Sequence, residues 1–150
     1  MENVLISACL LGVACRYDGL SKPIDKETIC RLQEKYHLIP VCPEIMGGLS
    51  TPRIPSEVGA NRLVKRKDGI DVTAEYEKGA NEVLHLAKMF GCKLAILKAR
   101  SPACGSGVIY DGSFTGKKTV GDGIAADILK KSGICVLTEE ELYENLLTNA

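Results

Sequence analysis

Four short apolar runs recur along this chain, and they constrain its fold more than any other feature. They are Val4-Leu5-Ile6-Ser7-Ala8, Leu38-Ile39-Pro40-Val41, Leu94-Ala95-Ile96-Leu97 and Ile134-Cys135-Val136-Leu137. Each is too short for a helix and carries no alternation, the pattern of a strand buried on both faces. Helical spacing separates or follows them. Asp25 can cap a helix over Lys26–Tyr36 with Ile29, Leu32 and Tyr36 on one face. Ala80, Val83, Leu84, Ala87 and Phe90 mark a longer helix over Thr73–Phe90, stopped by Gly91. Gly123–Lys131 forms a third, with Ile124, Ile128 and Leu129 inward. Thr138-Glu139-Glu140-Glu141 is a capping box opening a fourth. Alternation of this kind gives an α/β fold: a three-layer Rossmann-like domain with a central parallel sheet of about four strands. The length suits one domain over residues 1–150.

Two stretches depart from the alternation. Cys42 to Asp71 is long and irregular, with Pro43, Pro52, Pro55 and Gly47-Gly48; a hairpin around Asp68-Gly69 would join Arg62–Lys67 to Ile70–Thr73. Loops of that length in small domains are often functional. Lys98 to Gly107 is the second, followed by a hairpin signal at Val108-Ile109-Tyr110 with Asp111-Gly112. The run Lys65-Arg66-Lys67 reads as a solvated hairpin tip.

Charge and targeting signals narrow the function classes. Nineteen basic and 19 acidic side chains give zero formal net charge, which does not indicate a general nucleic-acid or anionic-membrane binder. No apolar run approaches the roughly 18 residues of a membrane span. Met1-Glu2-Asn3 has no basic leader, so the expected location is cytoplasmic. In that reducing setting seven cysteines are packed thiols, nucleophiles or metal ligands rather than disulfides.

The cysteines sort by position. Cys9 follows the first strand, Cys42 follows the second, and Cys104 lies in the loop after the third. All three fall at the carboxyl edge of the expected sheet, where open α/β folds bind ligands. Cys15 lies in the first of these loops. Cys30, Cys92 and Cys135 read as small packed hydrophobes. His37, ending the first helix, and His85, mid-helix, read as structural or surface groups. Thiolates gathered closely need cations between them, and a soft metal or iron–sulfur centre supplies these. Cys15 could complete a zinc set. Glu44, two residues after Cys42, is a candidate proton carrier. Ser101 and Ser106 place hydroxyls beside Cys104, and Arg16, Arg53, Lys98 and Arg100 place cations in the same loops.

Three blocks carry a resemblance. They are Ser7-Ala8-Cys9-Leu10-Leu11-Gly12 with Cys15-Arg16-Tyr17-Asp18-Gly19; Val41-Cys42-Pro43-Glu44 with Gly47-Gly48-Leu49 and Thr51-Pro52-Arg53; and Lys98 to Gly105 with Ser101-Pro102 and Cys104-Gly105. Together they resemble the TudS-like thiouracil desulfidase family, and the likeness runs the length of the chain. Ser50 stands where the family pattern has Pro, and Ala103 where Ser is common, departures that bear on pocket shape. The resemblance implies a [4Fe-4S] cluster held by Cys9, Cys42 and Cys104, with one iron open as a Lewis acid. It implies conversion of a thiocarbonyl on a thiolated pyrimidine to a carbonyl, with release of hydrosulfide and no net redox change. Glu44 and Ser101 match the positions expected to take part in catalysis. The alternative is an iron–sulfur or sulfur-handling accessory protein serving a partner enzyme in RNA thiolation. A structural zinc domain fits less well, since the cysteines come from separate strand ends rather than from Cys-x-x-Cys knuckles.

Overall fold

The computed structural model describes residues 1–147. Strand β1 (Glu2–Ser7) runs into a 3-10 turn, Ala8–Leu11, and then a loop to helix α1 (Lys26–Lys35). Asp25 caps α1, its carboxylate accepting from Thr28 N at 3.1 Å. Strand β2 (Tyr36–Val41) follows with no linker. The sequence places Tyr36 and His37 on the helix, whereas both are strand. Tyr36 turns extended at φ −137°, and the β-prone stretch after it pairs with β1 from Glu2↔Tyr36 onward.

The irregular stretch then holds a single helical turn, α2 (Pro43–Met46), and a pair of short strands, β3 (Ser56–Val58) and β4 (Val64–Arg66). The expected hairpin is displaced. Strand β4 pairs antiparallel with β3, and only an isolated Lys65↔Asp71 bridge spans the Asp68-Gly69 turn. The chain turns earlier because Arg62 takes a left-handed φ of 65° and donates from its amide to Gly59 O at 2.9 Å.

Helix α3 (Thr73–Met89) leads to β5 (Leu94–Leu97), the hairpin β6 (Val108–Tyr110) and β7 (Lys118–Val120), helix α4 (Ile124–Lys131), β8 (Cys135–Thr138) and the short α5 (Leu142–Asn145). The expected capping box at Thr138 is present.

The main sheet is parallel throughout, in the order β2-β1-β5-β8. Leu5, Ala95, Leu97 and Val136 face one core with Tyr76, Ala80 and Val83 of α3 and Leu129 of α4. Val4, Ile6, Ile96 and Leu137 face the other with Leu32 of α1 and Leu142 of α5. The result is the expected three-layer α/β domain with hairpin insertions. Leu5, Ile6, Ile96 and Leu97 are fully covered, and each such side chain stabilises the fold by about 1.5–3 kcal/mol. Strand β2 is the exception to two-sided burial: it lies at the sheet edge and is half-exposed, which also lets it hold Pro40.

This order positions the site. From β1 the chain steps one way to β2, then crosses back over β1 to reach β5. The order therefore reverses between β1 and β5, and a crevice opens there at the carboxyl ends of the strands. No helix among the described residues is long and apolar enough to cross a membrane.

Candidate active site

Cys9 sits in the 3-10 turn that β1 enters directly. Its carbonyl accepts from Gly12 N at 3.2 Å and Lys22 N at 3.0 Å, so the loop beyond is folded back over it. Gly12 ends the turn at φ 99°, a conformation that favours glycine. Cys42 is the residue before α2, in extended conformation, and Pro43 opens the helical turn. Four residues are too few to show helical periodicity, but a proline after a strand end was a usable signal.

Cys104 is held from two sides. Ser101 Oγ accepts from Cys104 N at 2.9 Å and from Ala103 N at 3.1 Å. The carbonyls of Pro102 and Ala103 accept from Ile124 N and Ala125 N, both at 2.9 Å, and so satisfy the first amides of α4. The loop bearing Cys104 thus closes the helix end, and the helix fixes the loop.

Cys9, Cys15, Cys42 and Cys104 all line one cavity of about 580 Å³, together with Glu44 and Ser101. The four strand-end and loop thiols singled out in the sequence are brought together. Cys92 is buried as expected, while Cys30 and Cys135 are exposed. Cys30 lies on the outer side of α1, and Cys135 opens the edge strand β8. Neither is the packed thiol the sequence suggested.

The thiols act on one another electrostatically. Burial pushes the Cys9 thiol up to about 11, with Cys42 adding to the rise and Lys98 and Arg16 opposing it. Burial, reinforced by Cys42 and Cys9, pushes Cys15 up to about 12. Cys104 is raised chiefly by burial, opposed by a hydrogen bond from Ser7 and reinforced by Glu44, Cys9 and Cys42. Three thiolates here would repel across a poorly hydrated space, so holding them ionised requires a cation between them. Among the described residues, no three His, Cys, Asp or Glu side chains close on a point that could hold a single metal ion. The thiols instead border a volume.

Glu44 is clamped. Arg53 Nη2 pairs with its Oε1 at 3.0 Å, and the Tyr76 hydroxyl donates to its Oε2. The Arg53 side chain is only 7% exposed, and it also donates to Cys15 O at 3.1 Å. One guanidinium therefore ties the carboxylate to the Cys15 loop. Tyr76, buried on α3 and raised by burial and by Glu44, stays a neutral donor. The sequence reading missed Tyr76. It lies on the inward face of a helix, where an aromatic reads as core, and 32 residues separate it from Glu44.

The basic residues are paired at the cavity wall. Lys98 Nζ meets Glu139 at 2.9 Å and Arg100 meets Glu140 at 2.8 Å. Lys67, assigned from sequence to a solvated tip, also lines the cavity, because its amide donates to Pro55 O at 2.9 Å and turns the tip inward.

Comparisons with known proteins identify the family and the fold. Residues 4–141 match the model of a family described as 2-thiouracil desulfurase. A protein of Bacillus subtilis (strain 168), named uncharacterized protein YbbK, is 40% identical over 153 residues, spanning 95% of this chain and 99% of its own. A solved structure of a [4Fe-4S]-dependent thiouracil desulfidase, TudS, superposes with a TM-score of 0.92 at 42% identity, covering 98% of this chain and 97% of its own.

Proposed function

The chain belongs to the 2-thiouracil desulfurase family, and on that premise we propose that it is a single-domain [4Fe-4S]-dependent desulfidase acting on a small thiolated pyrimidine. The observation that carries the reading is the meeting of four thiols and a clamped carboxylate on one cavity at the switch point of the sheet. The donor set fits the cofactor. Thiolates are the ligands iron–sulfur clusters take, and a cavity bordered by thiols suits a group with a span of its own. Cys9, Cys42 and Cys104 would hold it, one from each of three strand ends. Cys15 lies beside them as a further thiol.

When bound, the cluster supplies a Lewis-acidic iron that polarises the thiocarbonyl. The rest is done by the chain. Water adds to the ring carbon, and Glu44 takes the water's proton. Arg53 and Tyr76 hold that carboxylate by its two oxygens, so the base meets the water in one orientation. The C–S bond then breaks with its electron pair on sulfur. Overall, thiocarbonyl plus water gives carbonyl plus hydrogen sulfide, and no electrons are exchanged. The Ser101 oxygen already accepts from two amides, which leaves its hydroxyl proton free to donate to the substrate. Zero net charge and a walled cavity favour a small substrate over RNA, and the cytosol, with its reduced thiols, is the setting this chemistry suits.

The test is turnover of free 2-thiouracil by the anaerobically reconstituted protein. Glu44→Gln should keep its iron and lose at least about a hundredfold in kcat, the range for removing a general base. Unchanged turnover in that variant would remove Glu44 from the mechanism. Full iron loading with no turnover of the free base would favour the accessory role in RNA thiolation.

A further inference from the structure

The cavity that holds the thiols is also lined by aromatic rings. Seven aromatic side chains occur in the whole chain, and three of them, Tyr17, Tyr110 and Phe114, line this one cavity. Phe114 lies in the turn between β6 and β7, outside the three blocks singled out above. Its backbone is in the left-handed region at φ 58°. A bulky L-residue adopts that conformation only when its surroundings impose it. The constraint is visible: Glu57 Oε1 accepts from Gly112 N at 2.9 Å and from Phe114 N at 3.2 Å. Glu57 itself comes from β3 and lines the same cavity. Gly112 at φ 96° brings the turn against β3, where an added Cβ would lie 2.9 Å from Gly59 Cα. The hairpin is thus tied to β3 beside the cavity by one carboxylate, and its strained residue brings a ring to the wall.

We propose that Phe114 is a substrate-positioning residue whose ring stacks on the face of a planar heteroaromatic base, and that Glu57 holds it in place. The inference rests on the desulfidase reading and narrows it: the site selects for a flat aromatic ring and not for the thiocarbonyl alone. Strain placed at a position that lines the cavity holds a ring ready before the substrate arrives. Stacking of this kind acts equally in ground and transition states, so its loss appears in KM.

The test uses the reconstituted protein and two ligands. Uracil and 5,6-dihydrouracil offer the same polar edge, but only uracil is aromatic and flat. In wild type, uracil should inhibit more strongly than dihydrouracil. Phe114→Leu should raise KM for 2-thiouracil about tenfold with kcat within about twofold, and should abolish the preference for uracil. Phe114→Gly accepts the left-handed backbone freely and should do the same, so misfolding of the turn cannot account for the effect. Phe114→Tyr should restore both. The chain contains no tryptophan, so Phe114→Trp supplies a single indole, excited selectively over the five tyrosines. Its emission should be quenched saturably by uracil and not by dihydrouracil. An unchanged KM and an unchanged uracil preference in Phe114→Leu would overturn the proposal. Quenching by uracil in a protein that desulfurises nothing would support the ring site while overturning the desulfidase reading.

Discussion

Tyr76 shows how much of a site can hide in a core residue. Its ring packs among apolar side chains, and only its hydroxyl reaches Glu44. If it works by holding that carboxylate, Tyr76→Phe should keep the iron content of wild type and lower kcat about tenfold with little change in KM. In a Glu44→Gln background the same change should cost almost nothing more, because the group it positions is already gone. Additive losses would mean that Tyr76 acts elsewhere. The thiols make a second residue-scale prediction. Cys9 and Cys15 ionise near 9.0 when unfolded and only near 11 and 12 in the metal-free fold. A raised thiol value means the fold favours the protonated form. Metal-free stability should therefore be full below pH ~9 and fall as pH rises through ~11. At pH 8, iodoacetamide should modify exposed Cys30 and Cys135 well before Cys9, Cys15 or Cys104, as peptide mapping by mass spectrometry can show. The cysteines were legible because strand ends are legible. Tyr76 and Phe114 were not, since nothing local distinguishes an aromatic that touches a carboxylate or a cavity from one that fills a core.

Among the elements, the contact between α2 and α3 decides where Cys42 and Glu44 lie. The two backbones touch. A Cβ on Gly79 would lie 1.8 Å from Pro43 O, and one on Gly47 would lie 2.0 Å from Glu75 O. Glycine inside α3 costs about 1 kcal/mol of helix propensity, and this close approach is its reason. Gly79→Ala should accordingly destabilise the protein by about 2 kcal/mol despite alanine's better propensity, lowering Tm by about 4–8 °C. It should also weaken iron uptake, since the turn that carries Cys42 must move. A Tm equal to wild type would show that the helices can part at no cost. Glycine spacing alone did not reveal this contact. The sequence places Gly47 in a long irregular stretch and Gly79 inside the expected Thr73–Phe90 helix, and only the fold brings them to one interface. The displaced hairpin has a similar origin. Asp68-Gly69 is a good turn, but the left-handed Arg62 closes the chain earlier and leaves Asp68-Gly69 a single bridge.

At the scale of the molecule, the parallel sheet is what turns distant cysteines into one site. Its order reverses between β1 and β5, and the loops after β1, β2 and β5 converge above that point. Alternation of apolar runs with helical spacing was enough to read this architecture, because buried parallel strands have no exposed face to break the pattern. The edge strand β2 blurred at its start for the complementary reason: half-exposed, it carries Tyr36 and His37, which read as the end of a helix. The account's central claim is that Cys9, Cys42 and Cys104 hold a [4Fe-4S] cluster on which desulfidation depends. Anaerobic reconstitution with iron and sulfide, followed by iron analysis and a 2-thiouracil assay on the same samples, tests it most directly. Wild type should bind about four irons per chain, absorb broadly near ~400 nm and release uracil and sulfide in equal amounts. Cys9→Ala, Cys42→Ala and Cys104→Ala should each lose both the iron and the turnover, while Cys30→Ala keeps them. Full activity in a protein carrying no iron, or carrying zinc alone, would contradict the account.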